Sequence, residues 1–572
     1  MNWRSVIALS LLALILLQSL ITVIELRASA KCINVYFLAY DSKSHSGSVV
    51  PARICLYPSS NLTIEILGAR YGPSVIDSFL LALSTAARIC NPELWHLRVV
   101  IEFPGNLQIE GASGSLLLTL AVLELTNSSR VVGIRSATGV LSIDGFVDPV
   151  GAVKYKLEAA SSKGIKEVVV PLLNYGQARN ATSHGVHVLY IDTILDVCKK
   201  LAVSNPSASS VNVSTAVLKK VYSVLEHDVE RFLSLANESL SKLPTSVRAR
   251  LSPEVSKYLK VITSLLREGH VYSAASQSFA LYLYVMNATL TYSNYTYITK
   301  LASEALNIVN DVYDELEESR TISVNAIPFV LVVLNRVKDA VYFVNVFRNL
   351  TASMPMSIVP KNRIASLVSY AYGRSLTAQT WLRMLELANS SGGPYVDAKL
   401  VLDASWRVLD LVSNAIELWR KYAPLSLDTI ASTRGYLSSL YNESIENRVL
   451  SDLRKLLSIN LAELNPIQRI VPYLYVVYAN DLRRYRNISV STQITFYSLA
   501  DLVASSTIEV EHLLNATQHG ASLQWVAPRN LVAYVLYASS SVALIASLAM
   551  LALLEVVEKR SRTSRSYTTL AS

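Results

Sequence analysis

The spacing of apolar residues changes once along this 572-residue chain, near residue 205, and that change divides what the chain can fold into. Before it, from Ile33 to about Ala202, short β-branched runs alternate with helical patterns. Asn34–Phe37, Leu97–Phe103, Val140–Ile143, Glu167–Val170 and Val186–Tyr190 read as strands. Ser74–Ile89, Leu116–Leu125 and Tyr155–Lys163 have the length and period of helices. This predicts an α/β or α+β domain over 31–202. Asn205-Pro206-Ser207 and the serine-rich stretch after it predict a linker over 203–213. Beyond it, Val221, Val224, Leu225, Val229, Phe232, Leu233 and Ala236 recur at the three- and four-residue steps of one helical face. Similar stripes, cut by prolines, continue to about residue 528 with little strand-like alternation, so 214–528 predicts a mainly α-helical domain, a bundle or a solenoid. Its many tyrosines are expected in the core rather than in a peptide groove.

The two ends bear on compartment. Met1-Asn2-Trp3-Arg4, an uncharged stretch from Ser5 to Ile24 and Ala28-Ser29-Ala30 resemble a secretory signal in their order, so residues 1–30 predict a signal peptide or an uncleaved signal anchor. Asn530–Leu554 carries no charge for 25 residues, about 37 Å as a helix against a hydrocarbon core of about 30 Å. With Lys559, Arg560, Arg562 and Arg565 behind it, this predicts a transmembrane helix over 530–556 and a basic cytoplasmic tail over 557–572. Everything between is then expected outside the cell, with the protein held at the cell membrane. Twelve Asn-x-Ser/Thr sequons agree with export, since composition alone gives about five. Cys32, Cys55, Cys90 and Cys198 all fall in or beside the first domain, an even set that suggests two disulfides without choosing among three pairings. The net charge of +9 is scattered, with no basic block or interleaved aromatic motif, which argues against a nucleic-acid partner.

Chemistry concentrates in three blocks. Glu110-Gly111-Ala112-Ser113-Gly114-Ser115 stands between a predicted strand and an apolar helix. Taken alone, a serine there is a helix cap. Ala137-Thr138-Gly139 follows, and then Asp148-Pro149-Val150-Gly151-Ala152-Val153-Lys154-Tyr155-Lys156, which puts Lys156 43 residues after Ser113. Together these blocks resemble the proteolytic domain of Lon proteases (peptidase family S16), and in particular its membrane-associated archaeal branch, without the ATPase module. The resemblance implies a Ser-Lys dyad of Ser113 and Lys156, with Thr138 beside the lysine and Glu110 in the turn as supporting residues. It also implies a homo-oligomer, hexameric in the family, and a peptide or unfolded-protein substrate. Two positions depart from the family pattern: Ala112 stands for an aspartate, and Ala152 for the second glycine of the Pro-x-Gly-Gly run.

The dyad chemistry makes its own demand. A serine hydroxyl attacks only when a base takes its proton, and lysine is a base only when neutral. Bringing a lysine from about 10.4 to about 7 costs its charged form roughly 4.6 kcal/mol. Burial acts in the required direction, and Val150, Val153, Leu157 and Val168 are the expected apolar wall. Lys154 is the rival base. The sequence contains no Gly-x4-Gly-Lys-Ser/Thr phosphate loop and no His-Glu-x-x-His motif. His96 and His187 read as structural, and no cofactor or metal is called for. The resulting expectation is a membrane-anchored, ATP-independent Lon-like endopeptidase, and the alternative is an inactive Lon-like scaffold of the cell envelope.

Overall fold

The computed structural model describes residues 30–179, 185–199, 211–354, 358–415 and 426–518. The expected signal, most of the expected linker and the apolar stretch at 530–556 lie outside these residues. Among the described residues, no helix is long and apolar enough to cross a membrane.

Residues 31–191 build a mixed seven-stranded sheet. Its first strands are β1 (Lys31–Asp41), β2 (Ser46–Pro58) and β3 (Thr63–Tyr71), followed by helix α1 (Pro73–Ile89) and β4 (Leu97–Ile109). Helix α2 (Ser115–Leu125) comes next, then the short strands β5 (Ser136–Ala137), β6 (Val140–Leu141) and β7 (Val147–Asp148). Helix α3 (Val153–Ser162), β8 (Glu167–Pro171), the single turn α4 (Tyr175–Ala178) and β9 (His187–Ile191) complete the domain. The strand order is β3-β4-β2-β1-β5-β8-β9, while β6 and β7 pair only with each other.

The sequence pattern located β4, β8, β9 and the three long helices, and it passed over β2 and β3. Pro51 interrupts the reading of β2, yet it is tolerated because β4 pairs with β2 only from Arg53 onward, so one side of Pro51 faces no ladder. Gly68, at φ 71°, breaks the alternation of β3 at a bulge against β4. The expected strand at Val140–Ile143 shrinks to two residues of a hairpin. The cysteines pair as Cys32–Cys55, which are register partners on β1 and β2, and as Cys90–Cys198, which ties the end of α1 to the end of the domain.

The helical region follows as α5 (Thr215–Ser241), α6 (Thr245–Arg267), α7 (Val271–Tyr292), α8 (Tyr295–Glu318), α9 (Ile327–Ser353) and α10 (Lys361–Asn389). It continues with α11 (Ala398–Ala415), α12 (Leu427–Ser438), α13 (Glu443–Glu463), α14 (Ile470–Arg486) and α15 (Val490–Gln518). Two three-residue strands, β10 (Thr321–Ser323) and β11 (Tyr395–Asp397), pair between helices. Helix starts carry their caps: Asn294, Ser426 and Asn442 each accept a backbone N–H three residues on. Every residue from Ile327 to Leu334 is buried, as expected of a helical stretch apolar on all sides. Tyr272, Tyr282, Tyr475, Tyr478 and Tyr497 are core residues, and Tyr272 meets Trp381, Tyr475 and Tyr478 edge-on.

The α+β and helical parts belong to one compact unit that ends at Asn515. Arg407 of α11 reaches Asp77 of α1 at 3.4 Å, and Arg88 of α1 donates to Asn460 of α13.

Candidate active site

Ser113 sits in the turn that joins β4 to α2. Gly111 takes φ 88°, a left-handed conformation that glycine adopts without a steric penalty. Gly114 caps the helix, and a side chain there would come within 2.9 Å of the Phe37 ring. Phe37 packs in turn on Phe79 and Phe103, so the serine turn rests on an aromatic floor. Helix α2 is buried from Ser115 to Leu123, which fixes the turn to the core.

Two backbone bonds and one to a side chain staple this turn to the threonine segment, which a further backbone bond ties to β8. Gly139 N–H donates to Ser113 O at 2.9 Å and Leu116 N–H to Gly139 O at 3.3 Å. Thr138 N–H donates to Val169 O of β8 at 3.0 Å, and Leu141 N–H to Ser115 Oγ at 3.2 Å. Ser115 N–H is taken by Ala112 O, and none of these bonds takes up the N–H groups of Ser113 and Gly114. Both stand at the positive end of α2, where a developing oxyanion is stabilised.

Lys156 enters from α3, one turn into the helix. Its amine donates to Ser113 Oγ at 3.0 Å and to Thr138 Oγ1 at 3.1 Å. Lys156 is 5% exposed and Thr138 fully buried, whereas Ser113 is half-buried. The apolar wall is present, since Val150, Val153, Leu157 and Val168 are all buried. Lys154 points the other way: it is exposed and lies 3.9 Å from the Glu158 carboxylate on the same helix face. Glu110 is exposed and accepts from Gln108 Nε2 at 2.9 Å, so it belongs to the rim of the turn.

The two departures from the family pattern have different consequences. Ala112 is fully buried, and its methyl fills core space beside the nucleophile. Ala152 caps α3 at φ 59°, so the chain keeps the glycine-type conformation despite the side chain.

Several residues that hold the site carried no sequence signal. Gly47 of β2 lets the α3 backbone come against the sheet, since a Cβ there would lie 2.0 Å from Tyr155 O. Asn174 clamps Val150 from both sides, accepting from its N–H and donating to its carbonyl, each at 2.9 Å. Arg434 of α12 is fully buried against Asp144 and Asp148. His96 and His187 are exposed and stand near Ser60 O and Glu167. Among the described residues, the carboxylates of Asp192, Asp196 and Asp452 are grouped closely enough to ligate a cation, but Arg448 and Lys455 already lie against them.

With this arrangement in view, residues 77–203 match the Lon protease (S16) C-terminal proteolytic domain. The chain carries a Lon-type serine peptidase domain. The match starts within α1, although β1–β3 before it complete the same sheet. The archaeal Lon protease of Thermoplasma volcanium is 30% identical over 144 residues, 25% of this chain and 22% of the relative. That of Methanothermobacter thermautotrophicus is 28% identical over 151 residues, 26% and 23% of the two chains. Lon protease 2 of Bacillus subtilis is 28% identical over 107 residues, 19% of each. The chain therefore spans about one-fifth of the length of these relatives, and its helical region lies outside the matched Lon domain.

Proposed function

We propose that this protein is a membrane-anchored, ATP-independent Lon-like endopeptidase that cuts extracytoplasmic peptides or unfolded proteins with a Ser113–Lys156 dyad. The observation that carries the reading is the 3.0 Å approach of the buried Lys156 amine to Ser113 Oγ, with Thr138 at 3.1 Å as its second hydroxyl partner. In the neutral state the amine takes the Ser113 proton as Oγ attacks the scissile carbonyl. The N–H groups of Ser113 and Gly114 then receive the oxyanion. Lys156 returns the proton to the leaving amine, and the same group activates the water that releases the acyl chain. Thr138 keeps the amine aimed at the serine through the cycle.

Placement outside the cytoplasm draws support from both disulfides and from the sequons: nine of the eleven sequon asparagines among the described residues are solvent-exposed. Membrane attachment rests on the uncharged stretch at 530–554 and the basic tail behind it. Assembly into a ring is the partner state that the Lon resemblance favours.

The test is cleavage of unfolded casein by the purified full-length chain without ATP. Ser113→Ala and Lys156→Ala should each reduce turnover by at least about 10³-fold with unfolding transitions unchanged. Lys154→Ala should stay within about twofold of the parent, because its side chain is exposed on the opposite face. Equal losses from Lys154→Ala and Lys156→Ala would remove Lys156 as the base, and cleavage that persists in Ser113→Ala would remove the dyad.

A further inference from the structure

We infer that Arg434, contributed by the helical region, is a positioning residue for Lys156, so that the proteolytic domain is complete only with the helical region docked on it. The inference rests on the dyad reading above and extends it to a part of the chain that the Lon match does not include.

Lys156 hangs on a short and intrinsically weak segment. The hairpin β6–β7 has two residues per strand and leads through Pro149-Val150-Gly151 to Ala152, the left-handed cap of α3. A hairpin of that size does not hold its own shape in water. It also carries two buried carboxylates, Asp144 at 0% exposure and Asp148 at 2%. Left alone, these would be driven to hydrate or to protonate, and the turn with them.

The helical region removes that cost. Arg434 Nε donates to Asp148 Oδ1 at 2.8 Å and Nη2 to Asp148 Oδ2 at 2.9 Å, a forked pair. Nη1 donates to Asp144 Oδ2, and Nη2 reaches Asp144 Oδ1 at 3.2 Å. The guanidinium lies over the Phe146 ring, 4.4 Å from its centre. One planar group therefore grips the tip of the hairpin, at Asp144 and Phe146, and the end of its second strand, at Asp148. A second tie acts on the next residues: Tyr441, just after α12, donates to Leu173 O at 2.7 Å, beside the Asn174 amide that clamps Val150. The stretch from Asp144 to Val150 is thus held by α12 and the turn that follows it, directly at three side chains and through one neighbour at the fourth.

Arg434 acts through the loop and not on the substrate, so its loss should change where the amine stands. A displacement of about 1 Å in a reacting group costs on the order of 10²-fold in rate. The experiment compares the full-length parent with Arg434→Lys and with the triple variant Arg434→Met/Asp144→Asn/Asp148→Asn, which removes the guanidinium together with both carboxylates it pairs with and so keeps the fold within reach. Peptide turnover, labelling by a fluorophosphonate and the pH–rate profile are measured on each, with rates expressed per folded molecule. The expected result is a 10- to 100-fold lower kcat in both variants with KM within threefold. Labelling should slow in proportion, and the acidic limb of the profile should move to higher pH as water reaches the amine. A purely structural role would lower the folded fraction without moving that limb. Full activity per folded molecule in both variants, with the limb in place, would overturn the inference while leaving the dyad intact. Absence of Ser113-dependent labelling in the parent would instead overturn the dyad reading on which it rests.

Discussion

Lys156 in the proteolytic domain and Arg336 in the helical region are each 5% exposed, yet they are met by different chemistry. The lysine donates to the hydroxyls of Ser113 and Thr138. Arg336 donates to the Asp428 carboxylate at 2.6 Å, and Arg374 joins the same carboxylate at 3.2 Å while facing Asp339 at 3.4 Å. Burial works against the Arg336 charge, but Asp428, Tyr475 and Asp339 together outweigh it and hold the guanidinium above its ordinary range. Burial likewise opposes the Asp428 charge, and Arg336 and Arg374 outweigh it, holding the carboxyl well below the usual range. A hydroxyl can accept from an ammonium or donate to a neutral amine, whereas a carboxylate stabilises only the cation. The molecule thus fixes charge where Arg336 and Arg374 meet carboxylates, and sets hydroxyls beside the Lys156 amine.

That contrast breaks most visibly at Asp428. Asp428→Ala leaves two buried guanidinium groups facing Asp339 and should cost about 3–5 kcal/mol of stability in denaturant titrations. Turnover per folded molecule should stay within about twofold; a larger catalytic loss would mean that the two sites are not independent. Because the Asp428 pKa is depressed on folding, its contribution is complete above about pH 4 and is lost as pH falls toward the folded value. A smaller effect with the opposite signature is expected at Thr138. Thr138→Val should lower kcat by about tenfold, roughly 1.4 kcal/mol in the transition state, with the thermal midpoint little changed. A drop in stability with full activity would assign Thr138 to packing alone.

The smallest effect lies where carboxylates outnumber cations. Asp192, Asp196 and Asp452 face Arg448 and Lys455, and burial, followed by Asp196, pushes Asp192 up to about 8. A carboxyl raised on folding binds its proton more tightly in the folded state. Its contribution is therefore complete below about pH 4 and is lost as pH rises to about 8. Asp192→Asn should remove this slope, leaving the variant's thermal midpoint about 2–4 °C higher relative to the parent at pH 8 than at pH 5. Parallel curves for the two proteins would place the titration elsewhere.

The residues that meet in the candidate site were legible in the sequence because each is announced by its own neighbours. Gly111 and Gly114 bracket the serine, Gly139 follows the threonine, and the Asp148–Lys156 run leads directly onto the helix that carries the lysine. Such turns are local, so their chemistry is written within a few residues. The strands β2 and β3 were not legible because Pro51 and Gly68 stand at places where only the neighbouring strand, or its absence, makes them acceptable. The supports were hidden for a related reason. An arginine in an amphipathic pattern reads as solvated surface, and only the folded molecule brings Arg434 onto Asp144 and Asp148, some 290 residues upstream. Asn174 is similar, an asparagine after a strand whose partner is a backbone 24 residues earlier.

The separation between Arg434 and Lys156 also sets an order in time. Arg434 follows Lys156 by 278 residues, which at about 5–20 residues per second is roughly 14–56 seconds of synthesis. During that interval the serine, the threonine and the lysine have all been made while the guanidinium that pairs with Asp144 and Asp148 does not yet exist. With Arg434 as the aligning group, a newborn chain is latent until its own helices arrive.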